Sequence, residues 1–146
     1  VYLLKEEVVR ALNSKDGYAL QYASKNNYQL FIITGGYSED LKKRLIDLGI
    51  NDVFLRSNNK IDVYNGIKEK YGIADKQVLY MGDDIPDIPV LKVAGVSCCP
   101  QDAAIDVKQV VDYHSPLEGG KGCVREVIEQ TLRVQGKWLN ASAFQW

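Results

Sequence analysis

Residues 28–49 read YQLFIITGGYSEDLKKRLIDLG, an apolar run followed by a glycine turn and a second patterned segment. The run that ends at Ile33 predicts a buried strand, because it is short, apolar and bounded by turn residues. Ser38 is typical of a helix N-cap, and Gly49 is typical of a helix end. The helix predicted over 39–48 carries apolar side chains on one face, at Leu41, Leu45 and Leu48. This strand, turn and helix together predict an α/β fold.

The same alternation extends in both directions from this unit. Two short strands joined by a polar turn are predicted at 1–4 and 6–12, and Asp16–Gly17 is a turn signal. The further predicted strands lie at 52–55, 77–81, 96–98 and 110–112, and the further helices at 18–25, 60–71, 86–94, 102–108 and 123–134. Short connections predict a Rossmann-like three-layer α/β/α domain with a parallel sheet and an N-terminal β-hairpin. We expect the domain at 1–140, followed by an apolar tail without periodicity at 141–146.

The composition excludes several classes of protein. The 146 residues are 46% hydrophobic and 25% charged, as expected of one globular domain. Lysine and arginine number 18 against 19 acidic residues, so the basic charge typical of nucleic-acid binding is missing. Apolar runs are too short to cross a bilayer, and no secretion leader is recognised. Cys98 and Cys99 are interpreted as buried thiols, and His114 as a loop residue. These features predict a cytoplasmic protein without membrane or nucleic-acid partners.

Polar residues follow three of the predicted strands, at the point where each strand ends. They are Thr34–Gly36, Arg56–Asn58 and Gly82–Asp84, and Lys60 begins the helix that follows the second of these strands. Because the carboxyl ends of parallel strands meet at one edge of a sheet, we expect these residues to share a rim.

The acidic loop at 82–87 reads GDDIPD and crowds three carboxylates. Such a cluster needs a compensating cation, and carboxylate oxygens are ligands that Mg²⁺ prefers. Asp83 and Asp87 are four residues apart, so a helical turn between them would direct both carboxylates toward the same opening at the rim. The alternative is an acidic turn in which Asp84 or Asp87 caps the short helix. The sequence leaves both interpretations open.

Thr34–Gly35 and Lys60 have the chemistry of a phosphate site. A hydroxyl beside exposed backbone N–H groups makes a phosphate cradle, and glycine permits close approach. The alternative is a plain turn between strand and helix. A lysine at a helix start is unfavourable for the helix dipole, and a bound anion would explain it. The alternative there is a solvated surface lysine.

The ordered set of hydroxyl–glycine turn, lysine and acidic loop resembles the haloacid dehalogenase superfamily of phosphotransferases. One branch, the 3-deoxy-D-manno-octulosonate 8-phosphate phosphatase family, is matched more closely. The matching segments are 12–18, 33–35, 48–50, 59–60, 82–87, 102–103, 119–126 and 135–137. The glycine loop GGKGCVRE at 119–126 is the most specific of them, since it is not part of the general superfamily pattern.

The resemblance implies a cytosolic, Mg²⁺-dependent phosphatase of a sugar-acid phosphate, which places it in lipopolysaccharide biosynthesis. It also implies a capless domain and a homotetramer. By this match Thr34 and the Gly35 backbone hold the phosphoryl group and Lys60 neutralises its charge.

The same match assigns the acidic loop to the metal. Asp83 is a metal ligand by this match. Asp87 is assigned to the metal and to orienting Lys60, and Asp84 supports catalysis beside it. Phosphoryl transfer mainly requires that the reacting groups be positioned and that the phosphate charge be neutralised.

The chain departs from the family pattern in two places. The family's nucleophile and general acid are two aspartates placed before the hairpin, and this chain begins after that point, so we expect it to be part of a longer protein that supplies them. By the resemblance, the strand carrying the nucleophile separates those ending at Ile33 and Met81. These two should then lie roughly 9–10 Å apart rather than pair directly. Gly36 and Tyr37 stand where the family has a basic pair, which leaves the sugar acid open.

Candidates for contacts to the sugar acid are Gly36, Arg44 and Arg125, and surface ion pairs are the alternative for both arginines. Nonulosonate 9-phosphate is the alternative substrate. A phosphotransferase and a catalytically inactive assembly module are alternative functions. The aromatic residues from Phe144 to Trp146 are expected to be disordered or packed on a neighbouring subunit.

Overall fold

The computed structural model describes residues 11–144 and the strand backbone at 2–4 and 7–9. The strands are β1 (Tyr2–Leu4), β2 (Glu7–Val9), β3 (Phe31–Ile33), β4 (Asp52–Phe54), β5 (Leu79–Met81), β6 (Val96–Cys99) and β7 (Tyr113–His114). The helices are α1 (Ser14–Lys25), α2 (Glu39–Asp47), α3 (Lys60–Tyr71), α4 (Ile88–Leu91), α5 (Ile105–Lys108) and α6 (Cys123–Val134). Single 3₁₀ turns lie at Asp75–Gln77, Ile85–Asp87 and Ala141–Phe144. The α/β fold class is confirmed.

The strands form three hydrogen-bonded groups. β1 and β2 pair antiparallel, with Leu3 opposite Val8, and confirm the N-terminal hairpin. The predicted turn between them lies outside the described residues. β3 pairs with β4 in parallel, and β5, β6 and β7 pair in parallel in that order. Among the described strands β3 and β5 do not pair with each other, as predicted.

The two faces of β3 pack against different helices, because successive side chains on a strand point to opposite sides. Ile32 packs against the core cluster that includes Leu20 of α1 and Leu45 of α2. The neighbouring Phe31 places its ring 4.8 Å from that of Tyr71 of α3. Helices therefore cover both faces of this part of the sheet.

Helix α1 begins earlier than the sequence predicts. Asn13 caps it, since its Oδ1 accepts a hydrogen bond of 2.9 Å from the N–H of Lys15. Asp16 and Gly17 therefore lie in the first turn of the helix, where both are buried, and the predicted turn at these residues is wrong. The Asn13 cap supplies the start signal of the helix.

The strand predicted at 110–112 is displaced. The Asp112 carboxylate accepts from both the N–H and the hydroxyl of Ser97, each at 2.8 Å, and strand pairing with β6 continues at Tyr113 and His114. His114 is therefore a strand residue rather than a loop residue, and its Nε2 lies 2.8 Å from the Lys108 carbonyl. The Asp112 side chain therefore makes hydrogen bonds to β6 at a position where the prediction expected backbone pairing between strands.

The segment after α6 folds back over α1. Ala141–Phe144 forms a 3₁₀ turn, and Ala143 is buried in a cluster with Tyr22 and Leu132. Tyr18 donates a hydrogen bond of 2.5 Å to the Ala143 carbonyl. Residues 141–144 of the predicted tail therefore form a packed turn. The expectation for the aromatic end stays a prediction, since Phe144 is 81% exposed and residues 145 and 146 lie outside the described part. Ala143 packs in this cluster although the apolar residues of this segment show no helical or strand periodicity in the sequence.

Candidate active site

Lys60 and Asp87 meet at the rim of the sheet. The Lys60 Nζ lies 2.7 Å from Asp87 Oδ1, and the exposed fractions of the two side chains are 16% and 2%. Lys60 is the first residue of α3, directly after the loop that follows β4, and Asp87 ends the turn that follows β5. The fold thus joins an ammonium and a carboxylate that are 27 residues apart.

The Asp87 carboxylate has hydrogen-bond donors on both oxygens. Tyr80 donates its hydroxyl proton to Oδ1 at 2.6 Å, and the N–H groups of Asp83 and Asp84 donate to Oδ2, each at 3.3 Å. Burial, reinforced by Asp87, raises the pKa of Tyr80, so its hydroxyl stays a donor. Gly82 leaves the space, because a Cβ there would lie 2.4 Å from the Asp87 Cβ.

Asp84 caps the 3₁₀ turn, as one of the two interpretations of the acidic loop predicts. Its Oδ1 accepts a hydrogen bond of 2.8 Å from the N–H of Ile85. Asp83 is held through its carbonyl, which accepts from the N–H of Ala104 at 2.9 Å. Burial and the charge of Asp87 raise the pKa of the Asp83 carboxyl, and Lys60 offsets part of this rise. A cation near Asp83 would oppose the same rise.

Within the described residues, no group of three or more His, Cys, Asp or Glu side chains is placed to hold a metal ion. This finding does not conflict with Mg²⁺, which is often bound by one or two carboxylates and completes its coordination with water and phosphate oxygens. The predicted metal roles of Asp83 and Asp87 stay predictions.

Thr34 lies on a loop that is bound to the loop after β4. The N–H of Thr34 donates to Phe54 O at 2.9 Å, and the Thr34 carbonyl accepts from the N–H of Ser57 at 3.0 Å. The Thr34 Oγ1 accepts a hydrogen bond of 3.1 Å from the N–H of Gly36. Backbone hydrogen bonds therefore fix the hydroxyl–glycine turn against the segment that leads to Lys60.

The two predicted substrate arginines lie on α2 and α6, and their substrate roles stay predictions. Arg44 lies in the last turn of α2, about 7 Å along the helix axis from Glu39 at its start, and is exposed. Arg125 lies over the rings of Tyr18 and Trp138, at 5.5 and 5.8 Å, and 3.7 Å from Glu129. The ion-pair alternative therefore describes Arg125 in this structure.

The glycine loop Gly119–Gly122 and the start of α6 are held by side chains from two other segments. Asn13 donates to the Gly120 carbonyl at 3.0 Å, and Asp102 accepts from the N–H of Gly119 at 2.7 Å. Buried Asp16 accepts from the N–H of Arg125 at 2.8 Å. These contacts give several residues of the recognised motifs a structural task, which is to fix the start of α6.

Sequence reasoning placed Arg56 at the rim but missed the contacts that Tyr80 and Tyr37 make there. Tyr80 was assigned only to a strand, whereas its hydroxyl fixes Asp87. Arg56 and Tyr37 were placed in loops, whereas the guanidinium carbon of Arg56 lies 4.1 Å from the centre of the Tyr37 ring. A polar tip at the end of a buried strand was the available signal for Tyr80, while no pattern in the sequence links Tyr37 to Arg56.

In the described part of the chain, no helix has the length and apolar character needed to span a bilayer.

Comparisons with known proteins identify the family. The family model of haloacid dehalogenase-like hydrolases matches residues 4–95. The 3-deoxy-D-manno-octulosonate 8-phosphate phosphatase KdsC of Salmonella typhi is 36% identical over 131 residues, which is 90% of this chain and 70% of that protein.

Solved structures are similar over nearly the whole chain. The Yersinia pestis 3-deoxy-D-manno-octulosonate 8-phosphate phosphatase has a TM-score of 0.89 at 31% identity, covering 93% of this chain and 74% of that one. The Moraxella catarrhalis phosphatase, solved with magnesium, phosphate and KDO, has a TM-score of 0.89 at 30% identity, covering 94% and 79%. The chain belongs to the haloacid dehalogenase-like hydrolases and, within them, to the 3-deoxy-D-manno-octulosonate 8-phosphate phosphatase family of phosphoric monoester hydrolases.

Proposed function

We propose that this protein removes the phosphate from the phosphomonoester of a 3-deoxy-ulosonic sugar acid, with 3-deoxy-D-manno-octulosonate 8-phosphate as the first candidate. The observation that carries the proposal is the buried Lys60–Asp87 pair at the carboxyl ends of the strands. The names of the relatives support the choice of substrate.

Lys60 is the phosphate-binding cation in this proposal. An ammonium group has three N–H donors, and one of them faces Asp87. Two donors are left for phosphoryl oxygens, and the 16% exposure of the side chain gives a ligand access to them. Asp87 and Tyr80 hold the ammonium in place, so little reorganisation is needed when the transferring group develops charge.

Thr34 and Gly35 complete the phosphate site in this proposal. The Thr34 hydroxyl already accepts a hydrogen bond from the Gly36 N–H, so its own O–H can donate to a phosphoryl oxygen. Gly35 is exposed, and its lack of a side chain lets the phosphate approach its N–H. Two donors of this kind position the ester beside Lys60.

We assign the divalent metal, Mg²⁺ in the first instance, to Asp83 with support from Asp84. The donor set fits, since both are carboxylates, whose oxygens Mg²⁺ prefers as ligands. Asp87, the second predicted metal residue, is here assigned first to holding Lys60, because its two oxygens accept from four donors. A bound Mg²⁺ would neutralise phosphate charge.

The decisive experiment measures phosphate release from 3-deoxy-D-manno-octulosonate 8-phosphate, with and without Mg²⁺, by the protein as its organism makes it. Lys60→Met is expected to lower kcat/KM on the order of a hundred- to a thousandfold, because one positioned charge is lost. Lys76→Met, an exposed lysine in the turn at Asp75–Gln77, is the control and should leave the rate unchanged.

The same assay decides between the alternatives. Faster release from a nonulosonate 9-phosphate would reassign the sugar acid, and transfer of phosphate to an acceptor other than water would indicate a phosphotransferase. No release from any sugar-acid phosphate would refute the proposal and favour an assembly module. The homotetramer and the cytoplasmic location stay predictions, which sedimentation and cell fractionation test.

A further inference from the structure

Arg56 has an unusual backbone at the rim. Its φ is +53°, in the left-handed region that non-glycine residues seldom adopt. Two hydrogen bonds hold it there, since its N–H donates to the Gly36 carbonyl at 3.1 Å and the next N–H, of Ser57, donates to Thr34 O. Residues held in such conformations cluster at ligand clamps.

The side chain of Arg56 has an aromatic support and no carboxylate partner. Its guanidinium carbon lies 4.1 Å from the centre of the Tyr37 ring, which is 53% exposed. Among the described residues Arg56 makes no ion pair, whereas Arg125 and Arg133 both contact Glu129. A guanidinium over a ring keeps its N–H edge for planar anions such as carboxylates.

A cavity of about 520 Å³ opens beside this arginine. Tyr37, Arg56, Ser57, Asn58 and Asn59 line it at the carboxyl end of β4. Asn59 is followed directly by Lys60, so the cavity adjoins the proposed phosphate site along the chain. Asparagine amides and a serine hydroxyl there can also donate hydrogen bonds to sugar oxygens.

The charges around the cavity favour an anion. Lys42 lines it together with Arg56, and the acidic residues are Glu39 and Asp52. Asp52 is already neutralised from outside the cavity, since Lys70 Nζ lies 3.4 Å from its Oδ2. The lining side chains thus carry two positive and two negative charges, and Lys70, just outside the cavity, adds one more positive charge.

We infer that Arg56, supported by Tyr37, binds the carboxylate of the acid sugar while Lys60 and Thr34 hold its phosphate. The inference rests on the proposed function and adds a specificity residue to it. A substrate with two anionic groups then has two separate cationic contacts, on adjacent loops that Gly36 and Thr34 join by backbone hydrogen bonds.

Arg56→Gly is the sharpest test, because glycine adopts positive φ without strain and the variant should fold at least as well as the parent. We expect KM for the sugar-acid phosphate to rise about tenfold or more, as for loss of a charged hydrogen bond. On p-nitrophenyl phosphate, which has no carboxylate, kcat/KM should change by less than about twofold. Arg133→Gln removes an equal charge on α6 and should leave both substrates unaffected.

Two further measurements separate this inference from the proposed function. Calorimetry with free 3-deoxy-D-manno-octulosonate should show weaker binding to Arg56→Gly, whether or not the phosphate ester is hydrolysed. Tyr37→Phe keeps the ring and should retain parental KM, whereas Tyr37→Ala should raise KM for the acid substrate alone. Equal losses on both substrates in Arg56→Gly, or unchanged KM and unchanged acid binding, would overturn the inference.

Discussion

Two ion pairs in this protein have similar members and different surroundings. Lys60 and Asp87 lie 2.7 Å apart, with side chains that are 16% and 2% exposed. Tyr80 and two backbone N–H groups donate further hydrogen bonds to the Asp87 carboxylate. Arg125 and Glu129 lie 3.7 Å apart with exposed fractions of 35% and 27%. The first pair joins two loops at the rim, and the second lies within one helix.

The difference shows what burial does to a charge. A buried carboxylate is tolerated only when its oxygens accept hydrogen bonds. The donors to Asp87 are therefore restricted to positions that satisfy its two oxygens. Water already solvates much of the Arg125–Glu129 pair, so that pair adds little free energy. The buried pair therefore defines a geometry, while Arg125 acts mainly through its contacts with aromatic rings.

The largest effect is expected for Asp87→Ala. It leaves the Lys60 ammonium buried without a countercharge, which should lower the free energy of unfolding by about 3–5 kcal/mol. Displacement of Lys60 should lower kcat on the order of a hundredfold. Urea denaturation and phosphate release measure the two quantities. The double variant Lys60→Met/Asp87→Ala should regain part of the stability, and full additivity would contradict the coupling.

Leu132→Ala tests the packing beneath Arg125. Leu132 is 1% exposed in the cluster with Tyr22 and Ala143, so the cavity should lower the free energy of unfolding by about 2–5 kcal/mol. Because this cluster lies on the α1–α6 face, kcat per folded molecule should not change. A fall in kcat that parallels the loss of stability would mean that the two regions are coupled.

Tyr80→Phe tests the support of Asp87 alone. The variant removes one hydrogen bond to a charged group and keeps the ring, whose centre is 6.4 Å from that of Tyr64. We expect a loss of about 2 kcal/mol in the free energy of unfolding and a decrease of about tenfold in kcat. Thermal denaturation and steady-state kinetics check both, with Tyr64→Phe as the control that keeps Asp87 fully paired. Wild-type kcat in Tyr80→Phe would show that Lys60 and the loop backbone suffice.

Glu129→Gln should have the smallest effect. The pairs of Glu129 with Arg125 and Arg133 are both partly exposed, so the free energy of unfolding should fall by about 0.5 kcal/mol or less. Denaturation at low and high salt measures it, and the small difference should disappear at high salt. A loss comparable to that of Asp87→Ala would refute the contrast between the two pairs.

Local patterns in the sequence determined most elements of the fold. The helices at Lys60–Tyr71 and Cys123–Val134 begin and end where predicted, because apolar periodicity and glycines mark their limits. Errors came where a side chain replaced backbone hydrogen bonding, as Asp112 does with Ser97. The turn at Ala141–Phe144 was missed because its stability comes from contacts with α1.

The sequence by itself determined the α/β class and which residues follow the strands, since both depend on short-range order along the chain. Only the tertiary structure decided that Lys60 meets Asp87 and Tyr80, that Arg56 lies over Tyr37, and that Arg125 packs on the α1–α6 face. These contacts join residues far apart in sequence or depend on side-chain direction. The partner that each charged side chain contacts depends on which groups the fold buries beside it, and the local sequence pattern does not indicate that partner.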